Sequence, residues 1–216
     1  MVKMTTFGNH EEWLQHRTRI GGSDAASIIG LNPWRTNVQL WELKTGRRQQ
    51  EDISDKPYVR YGNEAEQPLR DLFALDFPEY KVFYQDGNMW RNDRFPWAHA
   101  SLDGWLEDEN GRKGILEIKT SDISSAIKAA EWDGDKIPDN YYVQVMHYLM
   151  VTEFDFVVLK AQLKYDIDDN RWCKTKHYHI EREDVIGEID YLREKEHEFW
   201  QHVINDTMPA LILPEL

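Results

Sequence analysis

The most constraining feature of the sequence is the stretch GILEIKTS at residues 114–121, an apolar run that carries a glutamate and a lysine. Alternate side chains of a β-strand point to opposite faces, so Leu116 and Ile118 share one face while Glu117 and Lys119 share the other. One interpretation is an edge strand with a solvated face and an i, i+2 ion pair. The other is a covered strand that holds two charged groups inside the protein.

The segment upstream predicts a hairpin partner for this strand. In HASLDGWLEDENGRKG, the pair Asn110-Gly111 is a strong turn signal between two extended runs. A hairpin closed around residue 110 places Asp103 directly across from Glu117, with Cβ atoms about 5 Å apart, where like charges destabilise a sheet. A register shifted by one residue would send the two carboxylates to opposite faces. The register that brings them together is the expected one.

Two carboxylates held together in this way predict a site for a hard divalent cation. Mg²⁺ prefers oxygen ligands and is typically held by one or two carboxylates plus substrate phosphate. Lys119, on the same face, can orient or help deprotonate a metal-bound water and balance the charge of a phosphate. The alternative is a solvated sheet face, but the apolar face behind the charges and Trp105 beside them favour the site.

The rest of the chain predicts helices around a central mixed sheet. Helices are expected at HEEWLQHR, at SDAASIIG with Ser23 as N-cap, at TNVQLWELKTG with Thr36 as N-cap, and over residues 58–77. Strands are expected near residues 80–90, 98–107 and 113–120. Helices at ISSAIKAAEW and PDNYYVQVMHYLMVT follow, then strands at FDFVVLKAQL and RWCKTKHYHI and a closing helix over REDVIGEIDYLREKEHEFWQHVI. No linker divides the chain, so residues 1–216 are expected to form one α/β domain.

Beyond the core pattern, the segment RTRIGGSD predicts an anion pocket. A Gly-rich turn that opens a helix presents N–H groups and the positive end of the helix dipole. Arg17 adds a guanidinium suited to bidentate phosphate binding. An ordinary capped helix is the alternative for this segment taken alone.

Four blocks of the sequence resemble known nuclease motifs. Asp103 followed by Glu117-Ile118-Lys119 resembles the D…(D/E)xK core of the PD-(D/E)xK nucleases, with Leu102 where the family name has proline. RTRIGGSDAASIIGLNPW resembles the N-terminal signature of the YqaJ-like viral recombinases, a group related to the phage lambda exonuclease. RYGNEAEQPLRDLF resembles their GxxxE helix and YYVQVMHYL their QxxxY helix. These blocks occur in family order over about residues 13–152.

The resemblance implies a restriction-endonuclease-like (PD-(D/E)xK) α/β/α fold and DNA cleavage that depends on Mg²⁺ or Mn²⁺. It implies that Asp103, Glu117 and the main-chain carbonyl of Ile118 are metal ligands and that Lys119 is the catalytic lysine. It also implies that Glu66 supports the metal site, or a second metal through water. An i, i+4 pair with Arg70 is the alternative role for Glu66.

The resemblance also implies a set of substrate-binding residues. Arg17 and Ser23 would bind a terminal 5′-phosphate. Gln144 and Tyr148 fall on one helical face, where they would contact phosphate or shape the site, although core packing explains a tyrosine equally well.

Composition bounds the setting of the protein without identifying its partner. The net charge of −13 argues against nucleic acid, yet residues 1–60 hold nine Lys/Arg against seven Asp/Glu, and the remainder holds 17 against 32. The single cysteine, Cys173, suits a reducing cytosol, and no run approaches membrane-spanning length, so a cytoplasmic protein is expected.

The function expected from these observations is a 5′→3′ exonuclease on double-stranded DNA. Its 3′ single-stranded tails would serve a phage-type annealing recombinase, and the lambda-type resemblance implies a homotrimeric ring. An endonuclease of the same fold and a catalytically silent DNA-binding module are the alternatives. Trp34 could wedge into duplex DNA, but a place in the core is expected, because a chain with nine tryptophans uses most of them for packing. Cys173, His177 and His179 could suggest a metal site, but a strand of alternating polar residues explains them better.

Overall fold

A computed structural model describes residues 1–167 and 170–214, and it shows helices packed on both faces of a mixed sheet. The helices are α1 (His10–His16), α2 (Gly22–Ile28), α3 (Asn37–Lys44), α4 (Pro57–Asp76), α5 (Ala126–Ala130), α6 (Asp139–Thr152) and α7 (Ile186–Ile204). The strands are β1 (Val2–Thr6), β2 (Lys81–Phe83), β3 (Asn88–Asn92), β4 (Gly104–Glu107), β5 (Lys113–Ile123), β6 (Phe156–Ile167) and β7 (Asn170–Glu181). No helix in the described part of the chain is both long and apolar enough to span a membrane.

The main sheet has five strands in the order β2-β4-β5-β6-β7. All neighbours are antiparallel except β5 and β6, which run parallel and are joined by the crossover that contains α5 and α6. A short β1-β3 pair forms a second sheet. The predicted fold class, a central mixed sheet flanked by helices, is confirmed.

The hairpin register predicted from the sequence is also confirmed. Gly104 pairs with Leu116 and Trp105 with Ile115, which continues to Asp103 opposite Glu117. Asp103 itself lies one residue before β4 rather than inside the strand. Gly111 adopts a φ of 77° in the connecting turn, a conformation that glycine reaches without a Cβ clash.

Both faces of β5 are covered, so the interpretation of an edge strand with a solvated face is wrong. Leu116 and Ile118 pack against Leu69 and Phe73 of α4. The opposite face, which carries Ile115, packs in the larger core cluster with α6. The two charged residues of the opposite face therefore lie inside the protein.

A buried polar contact ties the closing helix to the rest of the fold. His147 of α6 lies 2.6 Å through Nδ1 from Glu196 of α7 and 2.8 Å through Nε2 from the carbonyl oxygen of His99. All three side chains are buried. The contact fixes α7, α6 and the chain segment that leads into β4 in one arrangement.

Several elements differ from their predictions. Helix α2 begins at Gly22 with Gly21 as N-cap, because the Asp24 carboxylate accepts from the Gly21 N–H (3.1 Å), so Ser23 is not the cap. Thr36 does cap α3 with a capping box, as predicted. Strand β1 was not predicted. Of the predicted strand 98–107, only Gly104–Glu107 forms a strand, because Ala98 and Ala100 make isolated β-bridges instead of a continuous ladder.

Two predictions about side chains have opposite outcomes. Trp34 is 74% exposed, so its predicted place in the core is wrong. Cys173, His177 and His179 lie on β7, where His177 packs edge-on against Phe77 and His179 stacks on Phe156. The polar residues of β7 are therefore explained by strand packing.

Gly114 should be required where β5 passes Phe156. The two residues are paired in the β5–β6 register, and a Cβ at residue 114 would overlap the buried Phe156 ring. We expect Gly114→Ala to lower the free energy of unfolding by about 1–3 kcal/mol, because the ring must leave its rotamer. Urea denaturation measures this, with Gly187→Ala as control, since a Cβ there meets no atom within 4 Å. Equal stability of the two variants would contradict the packing argument.

Candidate active site

Strand β5 places a buried ion pair at the centre of the site. Lys119 Nζ lies 2.5 Å from Glu117 Oε1, and the Glu117 side chain is only 1% exposed. The same Oε1 accepts a hydrogen bond from Gln144 Nε2 of α6 (2.8 Å). The other oxygen, Glu117 Oε2, is buried and has no hydrogen-bond partner among the described residues.

Asp103 is fixed from both ends beside this pair. Its Oδ2 accepts from the Ile118 N–H at 2.8 Å, and its main-chain carbonyl accepts from Arg70 Nη1 of α4. The guanidinium of Arg70 also lies 3.6 Å above the Tyr84 ring. Arg70 is therefore committed to Asp103 and Tyr84, and no hydrogen bond joins it to Glu66 in the described part of the chain.

The crowding of carboxyl groups shows in their pKa values. Burial and the charge of Asp103 raise the pKa of Glu117 to about 8. Burial and the charge of Asp103 also raise the pKa of Glu66 to about 7. Burial alone would lower the pKa of Lys119, but the neighbouring Glu117 and Asp103 outweigh it and raise that pKa. The site thus holds more negative charge than its own lysine balances.

This donor set fits a hard divalent cation. The described residues contain no group of three or more His, Cys, Asp or Glu side chains already gathered as a metal site. The chain offers the adjacent carboxylates of Asp103 and Glu117, and Glu117 Oε2 has no hydrogen-bond partner among the described residues. It also offers the main-chain carbonyl of Ile118, which lies between Glu117 and Lys119 in the sequence. Such a set matches Mg²⁺, which takes few protein oxygens and completes its shell with water and phosphate. Glu66 is near enough to interact electrostatically with Asp103 and Lys119.

Helix α6 supplies the second layer of contacts. Gln144 Nε2 is 2.8 Å from both Glu117 Oε1 and the hydroxyl of Tyr148, one helical turn later. Both side chains are buried. A Cβ at Gly22 would overlap the Tyr148 ring and lie 3.0 Å from Gln144 Cγ, so α2 packs closely on this part of α6. The predicted single face of Gln144 and Tyr148 therefore points to Glu117.

A cavity of about 460 Å³ joins these residues to the N-terminal segment. Its lining includes Arg17, Ser23, Glu66, Asp103, Gln144 and Tyr148, so six of the predicted site residues meet there. The half-buried Arg17 lies 4.5 Å above the Trp13 ring, and it forms no ion pair in the described part of the chain. Its positive charge is thus available to an anion in the cavity.

Ser101, Arg70 and Asp24 belong to the site region but were not predicted. Ser101 lines the same cavity, and its Oγ lies 3.3 Å from Trp13 Nε1. Its position two residues before Asp103 was an available signal, since alternate residues of an extended chain share a side. The contacts of Arg70 had no local sequence signal, because Asp103 and Tyr84 are distant from it in sequence. The same holds for the ion pairs of Asp24 with Arg35 and Lys44.

Comparison with known proteins places the chain in a family context. The profile of the YqaJ-like viral recombinase domain matches residues 12–155. The chain is 35% identical over 208 residues to YqaJ of Bacillus subtilis (strain 168), which covers 94% of this chain. The chain spans 59% of the length of that relative.

Solved structures share the fold at low sequence identity. The alkaline exonuclease LHK-Exo from Laribacter hongkongensis is 16% identical with a TM-score of 0.61, covering 91% of this chain and 93% of its own. The structure of LHK-Exo in complex with dAMP is 17% identical with a TM-score of 0.60, and the match covers 90% of this chain and 95% of that one. A phage-related exonuclease from Haemophilus somnus 129PT is 15% identical with a TM-score of 0.54, and the match covers 90% of this chain and 98% of that one.

The raised pKa of Glu117 makes a prediction about stability without metal. The pKa rises from 4.5 to about 8 on folding, so the folded protein keeps a proton that the unfolded chain releases. The free energy of unfolding should therefore fall as the pH rises from about 4.5 to about 8. We expect Glu117→Gln to raise it by at least about 1 kcal/mol at pH values near 9 and to change it little near pH 5.

Urea denaturation in chelator at these two pH values measures the effect. The exposed Glu64 of α4 provides the control as Glu64→Gln, which should change stability little at either pH. A Glu117→Gln effect of equal size at both pH values would contradict the prediction.

Proposed function

The chain belongs to the YqaJ-like viral recombinase domain family, and from this membership and the geometry of the site we propose that it is a metal-dependent nuclease. The proposed reaction is hydrolysis of a phosphodiester bond of double-stranded DNA, proceeding from the 5′ end. The 3′ single-stranded tails that result would be the substrate of an annealing recombinase.

One observation carries the proposal. The β4–β5 register holds Asp103, which lines a polar cavity, against the buried Glu117, although like charges opposite each other destabilise a sheet. Glu117 Oε2 has no hydrogen-bond partner among the described residues, which is costly for a buried polar atom. A bound divalent cation would offset both costs.

The residues of the chain divide the chemistry between them. When bound, the cation would polarise the scissile phosphate and lower the pKa of a water. Lys119, whose raised pKa keeps it protonated, would place a positive charge beside the phosphate where negative charge develops. Gln144 holds Glu117 in position through Oε1, so Oε2 stays directed away from the protein's own donors.

The proposed polarity depends on the N-terminal side of the cavity. Arg17 has no carboxylate partner in the described residues, whereas nearby Arg35 and Lys44 are both paired with Asp24. A terminal 5′-phosphate would be bound by Arg17 with the hydroxyls of Ser23 and Ser101, which line the same cavity. The relative from Laribacter hongkongensis is described in complex with dAMP, a nucleotide that carries one phosphate.

One observation favours the endonuclease alternative. A second cavity of about 1010 Å³ adjoins the first and shares Arg17, Ser23 and Asn63 with it, so a strand could continue past the phosphate site. Linear and covalently closed duplexes, each incubated with and without Mg²⁺, separate the two functions. The exonuclease digests only the linear form and releases a 5′ label first. Rapid cutting of closed circles would support the endonuclease instead.

We expect Lys119→Ala, Asp103→Ala and Glu117→Ala each to reduce the rate of cleavage by at least about 100-fold, because each removes a group aimed at the charge of the phosphate or the cation. Initial rates on a linear duplex measure this, and chelator should have the same effect on the wild type. Lys113→Ala is the control, since Lys113 is an exposed lysine at the start of the same strand. A Lys119→Ala variant with near-normal turnover would exclude the proposed nuclease site.

Arg17 should determine a preference for phosphorylated ends. We expect the wild type to digest a 5′-phosphorylated duplex faster than the 5′-hydroxyl form, and Arg17→Ala to lose this preference with roughly 10- to 100-fold of its rate, the usual worth of a charge-assisted hydrogen bond. Arg94→Ala is the control, because Arg94 is a surface arginine paired with Glu153. Equal wild-type rates on both ends would refute the phosphate site.

A further inference from the structure

Trp34 differs from every other tryptophan of the chain. Its side chain is 74% exposed, and its indole makes no ring contact or hydrogen bond among the described residues. Each of the other eight tryptophans packs on another ring, on a cation or on a core cluster. Tryptophan is a large apolar side chain, so leaving most of one exposed to water gives up the free energy that burial would contribute.

The loop that carries Trp34 is held rigidly. The Trp34 N–H donates to Asn32 Oδ1 at 2.9 Å, and the buried Asn32 donates through Nδ2 to Ser27 Oγ at 3.0 Å. The next residue, Arg35, donates through Nε to the same Ser27 Oγ at 3.2 Å. The backbone on both sides of Trp34 is thus tied to α2, and the exposed indole does not result from a loose loop.

Asp24 joins this loop to the proposed phosphate site. Its Oδ1 lies 2.7 Å from Arg35 Nη2 and its Oδ2 2.7 Å from Lys44 Nζ, and these two cations hold the pKa of the Asp24 carboxyl well below its usual range despite its burial. Arg35 Nη2 also donates to the carbonyl of Ser23 at 3.2 Å. The charge of Arg35 is therefore already balanced by Asp24. Arg35 also connects the loop to Ser23, which lines the cavity.

These contacts connect the loop of Trp34 to the proposed phosphate site. Its neighbour Arg35 contacts the main chain of Ser23, and Ser23 lines the cavity together with Arg17, whose charge is unpaired in the described residues. The loop that exposes the uncharged indole of Trp34 therefore contacts the lining of the proposed phosphate site through its next residue, Arg35. That pairing of groups matches single-stranded nucleic-acid sites, in which cations track the backbone and aromatic side chains stack on bases.

We propose that Trp34 stacks on a nucleobase at the opened end of a DNA duplex. The inference rests on the proposed function. Asp103 and Glu66 are half-buried in the lining of a cavity of about 460 Å³, and Glu117 opposite Asp103 is buried, so a strand must leave the duplex to bring its phosphate to these carboxylates. Opening the end exposes the faces of bases to water, and the indole of Trp34 covers one of them.

Binding in chelator, where no cleavage occurs, tests the proposal directly. We expect Trp34→Ala to bind a fluorescein-labelled blunt duplex roughly 5- to 150-fold more weakly than the wild type in fluorescence anisotropy, the range that one base–aromatic stack supplies. Trp34→Phe should retain most of the affinity. Trp172→Ala is the matched control, because Trp172 is the other strongly exposed tryptophan (47%) but stacks on Tyr165 of β6.

A second set of duplexes distinguishes stacking from a general loss of affinity. Each carries an abasic residue at one of the last two positions of either strand. At one of these positions the wild type should lose affinity to the level of Trp34→Ala, while Trp34→Ala itself should lose nothing further. Quenching of tryptophan fluorescence by DNA should likewise be smaller in Trp34→Phe than in the wild type.

The outcomes separate this inference from the proposed function. If the wild type digests duplex DNA but Trp34→Ala binds it within twofold of the wild type, the stacking site is refuted and the nuclease stands. Abasic substitutions that weaken the wild type and Trp34→Ala equally at every position refute it as well. If the wild type neither binds nor cleaves DNA, both proposals fail.

Discussion

The hydrogen bond from the Ile118 N–H to Asp103 Oδ2 is the contact on which the rest of the site depends. It connects the end of one strand of a hairpin to the centre of its partner, and it holds the Asp103 carboxylate beside that of Glu117. Arg70 fixes the same residue from the other side through the main-chain carbonyl. Because the strand pairing sets the spacing of the two carboxylates, the geometry is as rigid as the sheet itself.

Negative charge is compensated around Asp24 but left uncompensated around Glu117 and Glu66. The hub around Asp24 pairs one carboxylate with two cations, and it keeps α2, α3 and the loop of Trp34 together. The carboxylates around Lys119 are the reverse, because burial and mutual repulsion raise the pKa values of both Glu117 and Glu66. Asp24 is fully compensated by two cations, whereas Glu117 and Glu66 are not. This difference indicates that the site around Lys119 is arranged to receive additional positive charge.

Much of the centre of the site could be predicted from the sequence. The turn signal at Asn110-Gly111 and the alternation in GILEIKT are local, so the hairpin register followed from counting residues. The helical spacing of Gln144 and Tyr148 likewise placed both on one face. The helix that begins at Gly22 was less well predicted, since Asp24 takes the capping role that Ser23 was expected to have.

The sequence by itself therefore determined the β4–β5 hairpin, its register and the pairing of Asp103 with Glu117, because those depend on turn chemistry and on the alternation of side chains along a strand. Only the tertiary structure decided that both faces of that strand are covered, that Arg70 holds Asp103, and that Trp34 stands in water. The physical reason is the same for all three. Burial and pairing depend on neighbours that are distant in sequence, and composition cannot say which tryptophan of nine is left without one.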